Sequence, residues 1–277
     1  MTGGPAVFSR VLAGVDGSER AEEAARQAGR LAAASGASLD LVYVVDTHHA
    51  HDADVEAEAE GALDRAAARA RDAGVQPRPR IVAGNPAEVL VAEAREHGVD
   101  LLSLGPDAGL LHGAIRIGRT AAHVIAQAHC SVMLARACGE AFPERIACGV
   151  DGSDASVATA TLAGLIASAT GAELHLLHVV PVFRGRDAEW TLGADEPTPP
   201  ELEASVLAVT ALGVTPVRDM AMGRPEHALV AAAGRDGTDL LVVGHRGLRG
   251  MTRVLLGSVS QHVAEHAPCS VLVARAR

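Results

Sequence analysis

Short, almost uninterrupted apolar runs alternate along this chain with longer stretches in which alanine and leucine return every three or four positions. Runs of the first kind read as buried strands and stretches of the second kind as amphipathic helices. Val11–Val15 is a strand that ends at Asp16-Gly17-Ser18, and a helix follows from about Glu19 to Ser35, with Gly36 as its stop. Leu39–Val45 is a second strand, Val55–Ala73 a helix, and Ile81–Val82 marks a third strand. Pro86 suits the first turn of the next helix. Leu101–Leu104, a helix over Ala121–Ala128 and a last strand Ser131–Ala135 complete the series. The same order returns later, with strands expected at Ile146–Val150, Leu174–Val180, Thr215–Met220, Leu240–Val243 and Ser270–Ala274. Pro181–Pro200, proline-rich and carrying Trp190, reads as a flap or partner loop outside the regular elements.

The return is literal. Gly14-Val15-Asp16-Gly17-Ser18 reappears as Gly149-Val150-Asp151-Gly152-Ser153, and nearly half the positions of Val11–Val45 match those of Ile146–Val180. Farther on, Gly84, Pro86, Asp100 and Gly105 map onto Gly223, Pro225, Asp239 and Gly244, and Gly118, His123 and Cys130 onto Gly257, His262 and Cys269. A unit this long is a duplicated domain and not a solenoid repeat. Gly139 and Pro143 break any element at the junction, so residues 1–140 and 141–277 are read as two domains. Apolar strands joined by helical crossovers demand a parallel sheet covered on both faces. The fold class is therefore α/β: two tandem doubly wound, Rossmann-like domains with five-stranded, mostly parallel sheets. Each has its site at the carboxyl ends of its strands.

Composition narrows the partners. The net charge of −10 repels phosphate backbones, which argues against nucleic acid and anionic membrane. Aromatics at 2% leave no stacking platform for single strands. Cys130, Cys138, Cys148 and Cys269 show no metal spacing and read as inert thiols of a reducing compartment. Neither a leader pattern in Met1–Pro5 nor an apolar run of spanning length is visible, so a cytoplasmic location is expected.

Candidate chemistry concentrates in the second half. Gly244-His245-Arg246-Gly247 follows a buried strand, and Gly257-Ser258-Val259-Ser260 opens a helix. Glycines three apart admit a ligand close to the backbone, and the helix start offers unpaired N–H groups with a positive dipole end. The hydroxyls of Ser258 and Ser260 add donors, an arrangement that suits a polyphosphate without a Walker lysine. A strand-to-helix loop whose glycines serve packing is the alternative; the whole G-x-x-G-x9-G-S spacing is what favours phosphate.

With Val150-Asp151-Gly152-Ser153, Leu177-His178-Val179-Val180, the glycine motif and Ala267-Pro268-Cys269-Ser270-Val271-Leu272-Val273, the chain resembles a tandem universal stress protein of the ATP-binding type. That resemblance implies an adenine nucleotide alpha hydrolase-like fold and a site with adenosine held by Asp151 and Val179, beside Gly152 and Ser153. Phosphates would lie against Gly244, Gly247, Gly257, Ser258, Val259 and Ser260, with His245 inside the loop. It implies ATP, with or without Mg2+, as ligand, and a cytoplasmic stress-response sensor acting on a regulatory protein partner. It also implies pairing of the two domains through their last strands and a homodimer of whole chains. Asp151 as a plain helix cap and Val179 as plain core remain open on the residues alone.

The first half departs from this pattern: Gly105 and Gly118 persist, but Ala108, Arg119 and Ala121 replace the middle glycine and both serines. Asp16 and Val44 persist, so the first domain reads as a degenerate site. Three histidines, His48, His49 and His51, share a loop with Asp46, Asp52 and Asp54, and a solvated loop outweighs a metal site there. No G-x-x-x-x-G-K-[ST], kinase-like H-R-D, S-G-G-x-D-S or H-x-G-H motif occurs, so no catalytic residue is assigned. An enzyme of related fold transferring adenylyl or phosphoryl groups and a nucleotide-free scaffold are the competing readings.

Overall fold

Alanine dominates the helices, and the computed structural model shows what its small side chain permits. The structure describes residues 7–45, 53–106, 110–111, 114–115, 117–181, 188–193, 195–235, 237–245 and 257–275. The chain divides into two units, residues 1–137 and 138–277.

In the first unit the parallel strands are β1 (Arg10–Val15), β2 (Ser38–Val45), β3 (Arg78–Ala83), β4 (Leu101–Leu104) and, after a short antiparallel ribbon of β5 (Leu110–Leu111) and β6 (Ala114–Ile115), β7 (Ser131–Leu134). They lie in the order β7-β4-β1-β2-β3. The helices are α1 (Glu19–Ser35), α2 (Ala53–Asp72), α3 (Pro86–Glu96) and α4 (Arg119–Gln127). Moving outward from β1 through β2 to β3, right-handed crossovers place α1 and α2 on one face; the return to β4 and β7 places α3 and α4 on the other. Contacts agree, with α1 packed on α2 and α3 on α4. Ala24, Ala25, Ala28 and Ala32 of α1, and Ala59, Ala62, Ala66 and Ala70 of α2, are all buried. Methyl-sized side chains let the two helices approach closely at little cost in side-chain entropy. The larger core is Leu12, Leu39, Leu41, Leu101, Leu102, Ile125 and Met133, each fully buried. Truncating one of these leucines to alanine would cost about 2–5 kcal/mol.

The second unit repeats the plan with β8 (Arg145–Val150), α5 (Asp154–Thr170), β9 (Glu173–Pro181), β10 (Ala188–Thr191), α6 (Pro200–Thr210), β11 (Val217–Gly223), α7 (Pro225–Arg235), β12 (Leu240–Gly244), α8 (Ser258–His266) and β13 (Ser270–Ala274). Its parallel strands run in the order β13-β12-β8-β9-β11. One expectation fails here. The segment from Pro181 to Pro200 is not a plain loop: Ala188–Thr191 adds an antiparallel strand along the edge of β11, and Pro200 begins α6. Antiparallel addition needs only backbone groups on an open edge, which no apolar periodicity announces. The Thr191 hydroxyl then donates to Asp219 Oδ1 at 2.6 Å and ties β10 to β11.

Among the described residues no helix is long and apolar enough to cross a membrane. None of the four cysteines is in a disulfide; Cys130, Cys148 and Cys269 are buried, and burial pushes the Cys148 thiol up to about 12.

Candidate functional site

In a sheet wound in both directions, the chain leaves β8 toward β9 on one side and returns to β12 on the other. The crevice between the carboxyl ends of β8 and β12 is the switch point, where two loops diverge and leave room for a ligand. Asp151 follows β8 directly, and Gly244 ends β12.

Asp151 is held by its neighbour: its Oδ1 accepts from the backbone N–H of Ser153 at 3.1 Å and from the Ser153 hydroxyl at 2.6 Å. Ser153 is the N-cap of α5, and its Oγ accepts from the N–H of Ser156 at 3.1 Å. The cap is therefore Ser153 itself, and Asp151 braces it one step outside the helix. Gly152 makes the turn at φ +81°, and a Cβ there would lie 3.3 Å from Cα of Glu201 in the first turn of α6. A side chain is thus disfavoured twice, by the left-handed backbone and by the neighbouring helix. Val179 is buried on β9, one residue beyond His178, whose Nδ1 lies 3.0 Å from the carbonyl of Val150.

The glycine-rich loop closes at its base. The N–H of His245 donates to the carbonyl of Ala274 at 2.8 Å, and the N–H of Gly257 donates to the carbonyl of His245 at 3.1 Å. Ser260, only 4% exposed, donates its hydroxyl to the carbonyl of Gly244 at 2.5 Å. Two of the three motif glycines, Gly244 and Gly257, thereby stand side by side beneath the start of α8. Gly247 lies outside the described residues. Gly257 is the N-cap of α8 and supplies no side-chain hydrogen bond, so the first N–H groups of that helix, at Ser258, Val259 and Ser260, have no intrahelical partner. Ser258 at this start is exposed. The buried imidazole of His245 accepts, at Nε2, from Nη2 of Arg275 at 2.9 Å.

Three of the expected site residues have partners within the chain. Ser260, expected from its spacing to meet phosphate, directs its hydroxyl proton to Gly244 and so also fixes the loop base. His245 is turned to Arg275, and Asp151 has a capping partner as well as its place at the crevice. His178, Arg275 and Glu201 were not assigned from sequence. Arg275 had one signal, its alignment with Arg136 in the other half, but nothing in the sequence shows which imidazole it meets.

In the first unit Asp16 repeats the brace, its Oδ1 accepting from Ser18 N at 3.0 Å and Ser18 Oγ at 2.6 Å. The loop base is different. Pro106 stands at the place of His245 and has no N–H, and Ala121, at the place of Ser260, has no hydroxyl to reach Gly105. A Cβ on Gly105 would meet the backbone carbon of Arg20 at 2.9 Å, so α1 crowds this crevice. Arg119, exposed, opens α4 behind Gly118, which gives no side-chain cap. Tyr43 takes the place of His178; burial, then the charges of Glu58 and Asp16, raise its phenol above the ordinary value. Ala108 and the histidines 48, 49 and 51 lie outside the described residues.

Two tandem α/β units with a braced aspartate after the first strand and an uncapped helix after a glycine motif define a class of crevice proteins built by duplication. The Universal stress protein family profile matches residues 8–136 and 143–275, nearly the whole chain, and the chain belongs to that family. A universal stress protein of Methanocaldococcus jannaschii is 35% identical over 144 residues, covering 50% of this chain and 85% of that protein. One from Thermus aquaticus is 36% identical over 131 residues, covering 45% of this chain and 93% of its own length. The crystal structure of a universal stress protein from Archaeoglobus fulgidus superposes with a TM-score of 0.75 over 97% of this chain and 98% of that one. Its 19% identity makes the likeness one of fold.

Proposed function

We propose that the second unit binds ATP, with or without Mg2+, and that the protein is a cytoplasmic stress-response sensor without efficient catalysis. The observation that carries this reading is the base of the glycine loop, where Gly257 donates to His245 and Ser260 to Gly244 at the uncapped start of α8. Such a helix end offers N–H groups and a positive dipole to an anion. The braced carboxylate of Asp151 across the crevice suits a ribose hydroxyl, which can donate to it. Gly247, Ser258 and Val259 complete the phosphate side, with Gly152, Ser153 and Val179 beside the adenosine and His245 at the loop base.

Occupancy is asymmetric in this reading: one nucleotide per chain. The first unit lacks the His245-type N–H and the Ser260-type hydroxyl that fix the loop base of the second. Arg119 also stands where Ser258 offers its hydroxyl, and one hydrogen bond lost to a charged group is worth about 1.5–3 kcal/mol, about tenfold or more in affinity. A regulatory protein partner and a homodimer of whole chains belong to the same reading. Calorimetric titration of nucleotide-stripped protein with ATP tests it. One site per chain is expected, abolished by Gly247→Val; two equivalent sites, or unchanged affinity in that variant, overturn it. Turnover at about 1 per second or more would favour an enzyme instead.

A further inference from the structure

The opposite end of the first unit carries a second feature. A cavity of about 330 Å³ is lined by Arg10, Ser38, Asp40, Arg78, Arg80 and His97. The sheet register explains why these residues meet. Arg10 pairs with Ser38 and Asp40 with Arg78, all at the amino ends of β1, β2 and β3. Paired residues on parallel strands share a face, and so do residues two apart on one strand. Arg10, Ser38, Asp40, Arg78 and Arg80 therefore project from one face of the sheet. It is the face of α3, because Arg80 reaches Glu93 of that helix at 2.7 Å and Arg10 donates to the carbonyl of its C-cap, His97, at 2.7 Å.

One guanidinium at this place is in surplus over the carboxylates that meet the three. Three guanidiniums face one lining carboxylate, Asp40, which Arg78 already neutralises through two bonds at 2.9 and 3.1 Å. Glu93 answers Arg80, and among the described residues the Arg10 side chain bonds to the His97 carbonyl and meets no carboxylate. Each guanidinium carries five N–H groups, so every one of the three keeps donors in excess.

The duplication provides an internal control. On the corresponding face of the second unit stand Arg145, Glu173, His175, Val217 and Asp219. There Arg145 is matched by Glu173 at 2.8 Å, and His175 by Asp219 at 2.6 Å. Charges are paired off within the set. At the matching positions the first unit has Ser38 for Glu173, Asp40 for His175, Arg78 for Val217 and Arg80 for Asp219. Two carboxylates have gone, one has come with Asp40, and two guanidiniums have come, in the same fold at the same strand ends.

We infer that this cavity is a binding site for a small organic phosphate, a phosphomonoester of sugar or polyol size, separate from the nucleotide crevice. A tetrahedral dianion has three outward oxygens to meet three guanidiniums, whereas a single carboxylate occupies one fork and leaves two unmatched. The cavity lies at the small end of the range for ligand sites and holds far more than a lone phosphate, itself only a few waters in volume. Ser38 and the edge of Asp40 supply hydroxyl-recognising groups for the polyol.

The experiment uses the full chain and calorimetry with ribose 5-phosphate, with ribose and citrate as comparison titrants. Ribose 5-phosphate should bind, more weakly as salt rises, while ribose gives no heat and citrate binds less tightly. Ser38→Glu installs the second unit's carboxylate beside Arg10 and should weaken ribose 5-phosphate about tenfold or more without lowering Tm, by placing a like charge in the site. Arg10→Met should weaken it likewise and decides the question if Ser38→Glu disturbs folding. No heat with ribose 5-phosphate, or unchanged affinity in these variants, overturns the site; tighter binding of citrate overturns the ligand class.

Discussion

Removing the Ser153 hydroxyl tests the geometry of the crevice most directly, because that oxygen does two things at once. It accepts from the N–H of Ser156 at 3.1 Å, capping α5, and it donates to Asp151 at 2.6 Å. Loss of such a cap costs about 1 kcal/mol, and loss of a hydrogen bond to a carboxylate about 1.5 kcal/mol at the low end of its range. The site is partly buried, so water restores a fraction of this. Ser153→Ala should therefore destabilise the second unit by about 2 kcal/mol, near 30-fold in its folding equilibrium. The repeat contains the matched control. Ser18 makes the same two contacts with Ala21 and Asp16, but with the carboxylate contact exposed, so Ser18→Ala should cost only about 1 kcal/mol. Native-state hydrogen exchange of the α5 and α1 amides reads each unit separately. Calorimetry with ATP supplies the second readout: Ser153→Ala removes one of the bonds that hold Asp151 and lowers affinity about tenfold, one lost bond's worth, while Ser18→Ala leaves it unchanged. A cost below about 0.5 kcal/mol for Ser153→Ala, the ordinary surface range, would refute the brace. Equal loss of ATP affinity in both variants would refute the assignment of the crevice to the second unit.

Two further outcomes are expected. His262 stacks between His227 and His266 with ring centroids 4.8 and 4.1 Å away, and burial, then the charges of His266 and His227, lower its pKa below 6.5 against the opposing pull of Glu226 and Glu265. Folding thus disfavours its protonation, so the stability it shares is full above pH 6.5 and lost as pH falls through the lowered native value. Protection factors of the α8 amides, taken against intrinsic exchange at each pH, should fall on acidification in the wild type and much less in His262→Gln; identical profiles would refute this. The Cys148 thiol, pushed up to about 12 by burial, should resist iodoacetamide at neutral pH while the half-buried Cys138 reacts. Equal alkylation rates in native protein would show that the β8 strand is not packed as described.

Much of this protein is legible without coordinates because its information is local and repeated. Apolar runs such as Leu39–Val45, stop signals such as Gly36 at φ +65°, and Pro86 at the head of α3 all depend on residues within one turn or one strand of themselves. The duplication doubled each such signal, and the order of strands and helices then left few topologies to consider. What depended on distant partners was not legible. The edge strand Ala188–Thr191 exists because β11 leaves backbone groups unpaired there, and a proline-rich flank conceals it. The serine hydroxyls looked alike in the sequence, yet Ser153 grips Asp151, while Ser260 turns its proton to Gly244 from sixteen residues away. Arg10, Arg78 and Arg80 are scattered residues until parallel register places them on one face beside His97. Periodicity specifies which face of an element is buried; only the packing of elements decides which polar groups meet, because a hydrogen bond is settled within a few tenths of an ångström and a hydrophobic contact is not.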